Sequence, residues 1–554
     1  MNSIGNSTYL YNKGVNMSRV RGSFFREAIF YAQIDDVVHQ SSGENEVVFD
    51  AVNARSKGFW QERDNTDTNP FAIHSMEDDV VTLEDFSLPV DTVRSNVTRY
   101  WDSVFNNDNG FNQQDNIENN PFKELSLCII SVVLSNKEYP EIDKSKRTTW
   151  YKVTLESKTV RQSHDEDEQG IATVVWDYRH QDPRLTMIFK RHKLIGIEPC
   201  SGRELMLLQA STDTSSWTVA KEEEIRQVVK RNIKDRRIEQ LICFDVGQGT
   251  CVGLADQHGQ VLLYSDFGCG VRRNVGTTPP NLQYCCDKNP PVILSHWHED
   301  HWAGIKQTQQ NVSGIDWILP PTPSSLTFNK SELVQLIRKQ NGRVYKFPGG
   351  TISIDVGNVN GNYTQKIELQ RCKGKLDGNK NECGLAVCVY DFADKQCPKQ
   401  WILPGDASYS SFSIDKEPSI CAVVATHHGG YSKARNYPKR PLKQLYARLL
   451  FSFGKDNTYG IPVNKTSTKT IQRYKKVGWR FDSNWPRKHV VPKSSSSDVL
   501  STATMSRGYK SQTLSSSRPR PVNHIAASWD NGVRCDGAHL STCLTNQQKF
   551  TILR

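Results

Sequence analysis

The sequence has no apolar run approaching the ~20 residues that a helix needs to cross a bilayer, so no membrane span and no membrane partner are expected. Its opening residues, Met1-Asn2-Ser3-Ile4-Gly5-Asn6, lack a basic stretch followed by an apolar one, and no secretory signal is expected. The 14 cysteines form no C-x-x-C pair. Several lie in apolar runs (Cys128, Cys243, Cys388, Cys421), where a thiol acts as a small buried hydrophobe. A disulfide framework is thereby disfavoured, and a reducing, cytoplasmic location is expected. Gly247-x-Gly249 lacks the third glycine and the following helix of a dinucleotide loop, which excludes that cofactor there. Histidine is also scarce, at 14 of 554 residues, so any histidine cluster stands out.

What is present is enough chain for more than one domain. Residues 1–119 read as a poorly defined polar N-terminal region, Asn-rich at 106–120, that could meet a protein partner. Residues 120–212 read as a smaller β-rich domain, with strands at Leu125–Leu134, Trp150–Val160, Ile171–Tyr178 and Glu204–Leu208 and a hairpin tip at the acidic run Asp165–Glu168. Within 213–240, Lys221–Gln240 has the periodicity of a charged surface helix joining two domains, with Ile225, Val228, Val229, Ile233 and Ile238 on its apolar side. Residues 241–490 alternate strands with helices at Ser331–Gln340, with Ser331 as N-cap, and at Ser467–Val477. Residues 491–521 read as a flexible Ser/Arg-rich basic linker, and 522–554 as a C-terminal segment that contains His524 and in which the C-x3-H-x3-C of Cys535, His539 and Cys543 could hold zinc.

The densest chemistry lies in Ser295-His296-Trp297-His298-Glu299-Asp300-His301-Trp302-Ala303-Gly304, directly after the apolar strand Pro291–Leu294. Alternation at a strand end sends His296 and His298 to one side. Asp300 and His301, past the turn, can face a second point, which is a layout for two metals. Further ligand types close other strands: Asp266 in D-x-G, Asp406 after Pro404-Gly405, and His427-His428 after Ile420–Ala425.

This ordered set resembles the metallo-β-lactamase superfamily over roughly 240–485. Within it, Asp245-Val246-Gly247-Gln248-Gly249, His427-His428-Gly429-Gly430 and Phe453–Pro462 resemble the hydrolase domains of bacterial competence DNA-uptake proteins. Thr250 and Ile461 depart from that branch, where an acid and a histidine are usual. The resemblance implies an α/β fold, an αββα sandwich with metals at one edge of its sheets. It implies two divalent ions, zinc or manganese. His296 and His298 would hold the first; Asp300, His301 and one histidine of the His427–His428 pair, with His427 favoured, would hold the second; Asp406 would bridge them. His428 would serve as a substrate or acid–base contact. Asp266 would orient a ligand histidine, with Asp245 and Asn381 as further supporting residues.

A metal-bound water would be the nucleophile. Lys433, Arg435, Lys439 and Arg440 follow the histidine pair, and with a net charge of +10 they favour phosphate contact. A phosphodiesterase or nuclease acting on DNA or RNA is expected; Trp297 and Trp302 flank the metal block and are candidates to stack on bases, with core packing the alternative role for at least one. Hydrolysis of a small ester, lactone or phosphodiester is the alternative. A non-catalytic binding module that keeps the fold is a third reading, and the complete ligand block argues against it.

Overall fold

The computed structural model describes residues 27–39, 45–54, 89–105, 122, 125, 127–134, 148–159, 171–176, 188–279, 282–308, 312–359, 362–376, 380–430, 436–442, 446–454, 464–481, 498–502 and 524–530. The Asn-rich stretch 106–120, the acidic run Asp165–Glu168, Lys433, Arg435, Ile461, Pro462 and the Cys535, His539 and Cys543 motif lie outside these residues.

The fold is mixed α/β with a β-rich N-terminal region. Six strands, β1 (Glu27–His39), β2 (Asn45–Asn53), β3 (Leu127–Leu134), β4 (Trp150–Thr159), β5 (Ile171–Trp176) and β6 (Ile188–Pro199), close into a barrel in the order β1-β2-β3-β5-β6-β4. Alternate residues such as Phe30, Ala32, Ile34, Phe49, Ile130 and Val153 fill its interior. The β-rich unit therefore does not begin at 120: it needs β1 and β2, and residues 1–119 also supply helix α1 (Val90–Phe105). The apolar pattern of these strands is masked because Gln33, Asp35 and Asp50 are buried polar residues. Asp35 is met by Lys330 and Arg272, and Asp50 by Thr327 and Asn329, all from outside the barrel.

Glu204–Leu208 is not a strand but part of helix α2 (Gly202–Thr212). The run Arg203–Ala210 contains only good helix formers and no β-branched residue. Helix α3 (Glu222–Ile233) is shorter than the expected 221–240, because Lys234 takes a left-handed φ of 39°. Its apolar side is the expected one: Ile225, Val228, Val229 and Ile233 are buried in the central core, while Glu222, Glu223 and Gln227 are exposed.

Two seven-stranded sheets make up the rest. The first runs β12 (Val344–Lys346), β11 (Trp317–Leu319), β10 (Val292–Ile293), β9 (Val261–Phe267), β8 (Cys251–Ala255), β7 (Gln240–Cys243), β20 (Ile525–Ser528). The second runs β13 (Thr351–Val359), β14 (Asn362–Arg371), β15 (Leu385–Asp391), β16 (Lys399–Leu403), β17 (Ser419–Val424), β18 (Arg448–Phe451), β19 (Val499–Ser501). One apolar core joins them, with Leu241, Leu254, Ile293 and Ile318 from the first and Ile354, Leu369, Val387 and Trp401 from the second. The outer face of the first sheet (Phe244, Tyr264, Trp317) packs with α1, α2, the barrel residue Trp150 and helix α5 (Phe328–Lys339), which follows the short helix α4 (Gly304–Gln307). The outer face of the second (Cys388, Ile402, Leu449) packs with helix α6 (Asn464–Lys476) through Ile471 and Tyr474.

Helix α5 starts at Phe328, with Thr327 and not Ser331 as the preceding residue; the Thr327 hydroxyl bonds Asp50 of the barrel instead of capping the helix. The C-terminal boundary also moves. Residues 498–502 are not flexible linker, since β19 pairs parallel with β18 and Asp498 binds both Arg440 and Arg480. His524 lies buried beside β20, against the Phe244 ring, and its Nδ1 accepts the Asp245 N–H at 2.9 Å.

Candidate metal centre

Strands β9 to β12 run parallel to one another, as do β16 to β19, and the candidate ligands follow the C-terminal ends of β10, β16 and β17. Beyond β10 the chain turns through His296 and His298 into a single 3-10 turn, Glu299–His301. Beyond β16, Gly405 at φ 56° lets Asp406 swing inward; a Cβ there would lie 2.5 Å from Ser295 Cβ. Beyond β17, His427 and His428 both take left-handed conformations (φ 50° and 53°), so the two adjacent imidazoles go to different environments.

His296, His301 and Asp406 bring one ligand atom each within 4.8 Å of one another, and so do Asp300, His301 and His428. The two oxygens of Asp406 face different partners. Oδ1 lies 3.1 Å from His301 Nε2 and 3.9 Å from His428 Nε2, while Oδ2 lies 3.5 Å from His296 Nε2 and 3.7 Å from His427 Nε2. The His298 ring is 4.6 Å from that of His296. His296 Nε2, His301 Nε2 and Asp406 Oδ1 are buried, and none makes a hydrogen bond. Each such atom costs roughly 1–3 kcal/mol when left unsatisfied. Three of them converging on one point is the donor geometry that a cation satisfies.

The imidazoles are held from behind. Asp266 is fully buried, and its Oδ2 accepts from His301 Nδ1 at 2.7 Å. His428 Nδ1 donates to the Ser452 carbonyl at 2.9 Å and lies 3.2 Å from Thr250 Oγ1. His428 Nε2 in turn is 3.1 Å from Asp300 Oδ2. Burial alone would lower the pKa of His301 and His428, but the carboxylates around them, Asp406, Asp266 and Asp300 for His301 and Asp300 and Asp406 for His428, outweigh it and raise both. Burial would raise Asp300 and Asp406, but the neighbouring imidazoles hold both below the ordinary carboxylate range. Burial, with His301 beside it, pulls His296 down to about 3.

Compared with known proteins, the chain matches no protein-family model and no curated protein.

The structure thus brings together His296, His298, Asp300, His301, Asp406, His427 and His428, with Asp266 behind them. It groups His428, rather than His427, with Asp300 and His301; the His427 side chain is 39 % exposed and faces the cluster from its rim. Asp245 lies below the site, where its Oδ1 accepts the Gly247 N–H at 3.4 Å. Asn381 sits in the turn before β15, next to Glu382, which accepts from the Ser408 hydroxyl at 2.7 Å and so ties down the loop after Asp406.

The expected substrate contacts fare differently. Arg440 is not a phosphate contact: its guanidinium is bound to Asp498 at 2.7 Å. Lys439 is exposed. Trp297 and Trp302 are 3 % and 1 % exposed and pack in the core, so neither can stack on a base. Sequence reasoning gave no role to Ser295, Thr250 or Ser452. Ser295 stood inside the motif as a signal; Ser452 acts through its carbonyl and leaves none.

Proposed function

We propose that this chain is a metal-dependent hydrolase of the metallo-β-lactamase type, its paired sheets and flanking helices forming the αββα sandwich of that superfamily. The observation that carries the reading is the convergence of His296 Nε2, His301 Nε2 and Asp406 Oδ1, buried and without hydrogen bonds. His296 and His298 would hold one divalent ion, and Asp300, His301 and His428 a second. Asp406 would span them, since its two oxygens face the two sides separately. An all-N,O donor set suits zinc or manganese. Such ions, when bound, supply hydroxide near neutral pH and positive charge at a phosphoryl or carbonyl oxygen.

The protein's own contribution is orientation. Asp266 and the Ser452 carbonyl turn the Nε2 atoms of His301 and His428 inward. Half-exposed His427 is the group at the rim that can meet a substrate oxygen or donate a proton to a leaving group. The net charge of +10 and exposed Lys439 favour an anionic, phosphodiester substrate, with DNA or RNA as the leading class. Because Arg440, Trp297 and Trp302 are committed elsewhere, hydrolysis of a small phosphodiester or ester stands as the second reading.

The test is metal analysis of the purified chain together with cleavage assays on single- and double-stranded DNA and RNA and on bis-(p-nitrophenyl) phosphate. Bound metal with polynucleotide cleavage supports the first reading. Bound metal with turnover of the small ester alone supports the second. A chain that takes up no metal contradicts both.

A further inference from the structure

Ser295 lies between the two histidines that face Asp406. Its Oγ is 2.8 Å from Asp266 Oδ2, 3.1 Å from His296 Nδ1 and 3.3 Å from His301 Nδ1. Its backbone is fixed on both sides: its N–H donates to Asp266 Oδ1 at 2.6 Å, and its carbonyl accepts from Leu385 N–H at 2.7 Å, which ties the first sheet to the second. The side chain also packs against Gly405, the residue that lets Asp406 turn in.

Counting protons at this serine gives more than its position does. A carboxylate oxygen can only accept, so Asp266 Oδ2 takes the single hydroxyl hydrogen of Ser295 along with the Nδ1 hydrogen of His301. The Ser295 oxygen then has only lone pairs left for His296, and His296 must bring the hydrogen, on Nδ1. Its Nε2 is thereby left as a lone pair facing Asp406.

We infer that Ser295 is a positioning residue through which the one carboxylate of Asp266 fixes the tautomers of two ligand histidines, His301 directly and His296 by relay. His428 provides an internal comparison, because its Nδ1 hydrogen is held by the Ser452 carbonyl and owes nothing to this relay. The inference deepens the metal-centre reading and rests on it for its purpose, but not for its geometry.

The test is a long-range 15N–1H correlation spectrum of the full-length, metal-free protein with 15N-histidine, with His296 assigned by substitution. The expected wild-type result is the Nδ1–H form of His296. In Ser295→Ala, which keeps the Cβ packed on Gly405, that form gives way to Nε2–H or a mixture, while His428 is unchanged. In Asp266→Asn, the amide NH2 donates to the Ser295 oxygen, the serine hydrogen turns to His296 Nδ1, and His296 flips to Nε2–H. Zinc affinity of Ser295→Ala should fall by about 10–100-fold. Nε2–H in the wild type, or an unmoved His296 in either variant, would overturn the relay. If Ser295→Ala does not fold, the wild-type and Asp266→Asn spectra still decide. Flipped tautomers in a protein that binds no zinc would uphold the relay and sink the metal-centre reading; unmoved tautomers in a zinc-binding protein would do the reverse.

Discussion

Two buried polar clusters in this chain look alike in composition and differ in one respect. Where the barrel meets α5, Asp35 is matched by Lys330 and Arg272, and Asp50 by Thr327 and Asn329. Each acceptor there faces a donor. At the strand ends, imidazoles and carboxylates converge with no Lys or Arg among the described residues of the cluster: the Nε2 atoms of His296 and His301 both point at Asp406. Arg272 lies close to both clusters, with its Nε 3.8 Å from Glu299, the residue before Asp300. A self-neutralising network holds two parts of a fold together. A convergence of imidazole nitrogens and carboxylate oxygens offers a cation its ligands.

Substitutions should separate the two roles. Asp406→Ala should remove metal uptake and bring hydrolysis down to background while the urea midpoint of the metal-free chain stays near wild type. Lys330→Met should do the opposite, costing about 3–5 kcal/mol in urea unfolding because it leaves a buried carboxylate short of a partner, with metal bound per folded chain unchanged. If both variants lose metal, or both lose stability alone, the contrast fails.

Truncation sharpens the boundary of the site-bearing unit. A chain ending at residue 490 lacks β19 and β20, which complete both sheets, and should be insoluble; one ending at Asp530 should stay folded. Circular dichroism and size exclusion of the two decide this, and a well-folded shorter chain would make the two strands dispensable.

A smaller effect is expected at Arg440. Arg440→Gln should lower stability by about 1–3 kcal/mol, since Asp498 is buried and Arg480 remains to it. The salt dependence of polynucleotide binding should not change, whereas loss of a phosphate contact would flatten the log–log slope by roughly 0.7–0.9.

A separate effect concerns pH. Burial holds His524 at about 3, below the ordinary ~6.5 of an unfolded histidine. The unfolded chain therefore takes up a proton first on acidification. Stability from this residue is fully present above pH ~6.5 and is lost as pH falls toward 3, with a limiting slope of about 1.4 kcal/mol per pH unit. His524→Gln, whose amide oxygen can still accept the Asp245 N–H, should unfold with a shallower pH dependence in that window; identical profiles would mean the histidine titrates alike in the folded and unfolded states.

The H-x-H-x-D-H block was legible because its ligands are nearly consecutive and follow an apolar strand. Asp406 and the histidine pair were legible as strand-end polar residues. Which of His427 and His428 joins Asp300 was not, because it depends on two successive left-handed residues. Arg440 read as a free cation because its partner, Asp498, is 58 residues away. The barrel's first strands were hidden by buried Gln33, Asp35 and Asp50, whose partners lie on a distant helix and loop. Strands β19 and β20, of three and four residues, are too short to rise above a Ser- and Arg-rich background.

In the proposed reading, the strand-end cluster is a two-ion site organised by Asp406. Crystals of the full chain soaked in zinc, with anomalous scattering recorded on both sides of the zinc edge, test it directly. Two peaks are expected, one on each side of Asp406, the first beside His296 and His298 and the second among Asp300, His301 and His428. No peak at Asp406 in zinc-saturated crystals, or zinc bound only elsewhere on the chain, would contradict it.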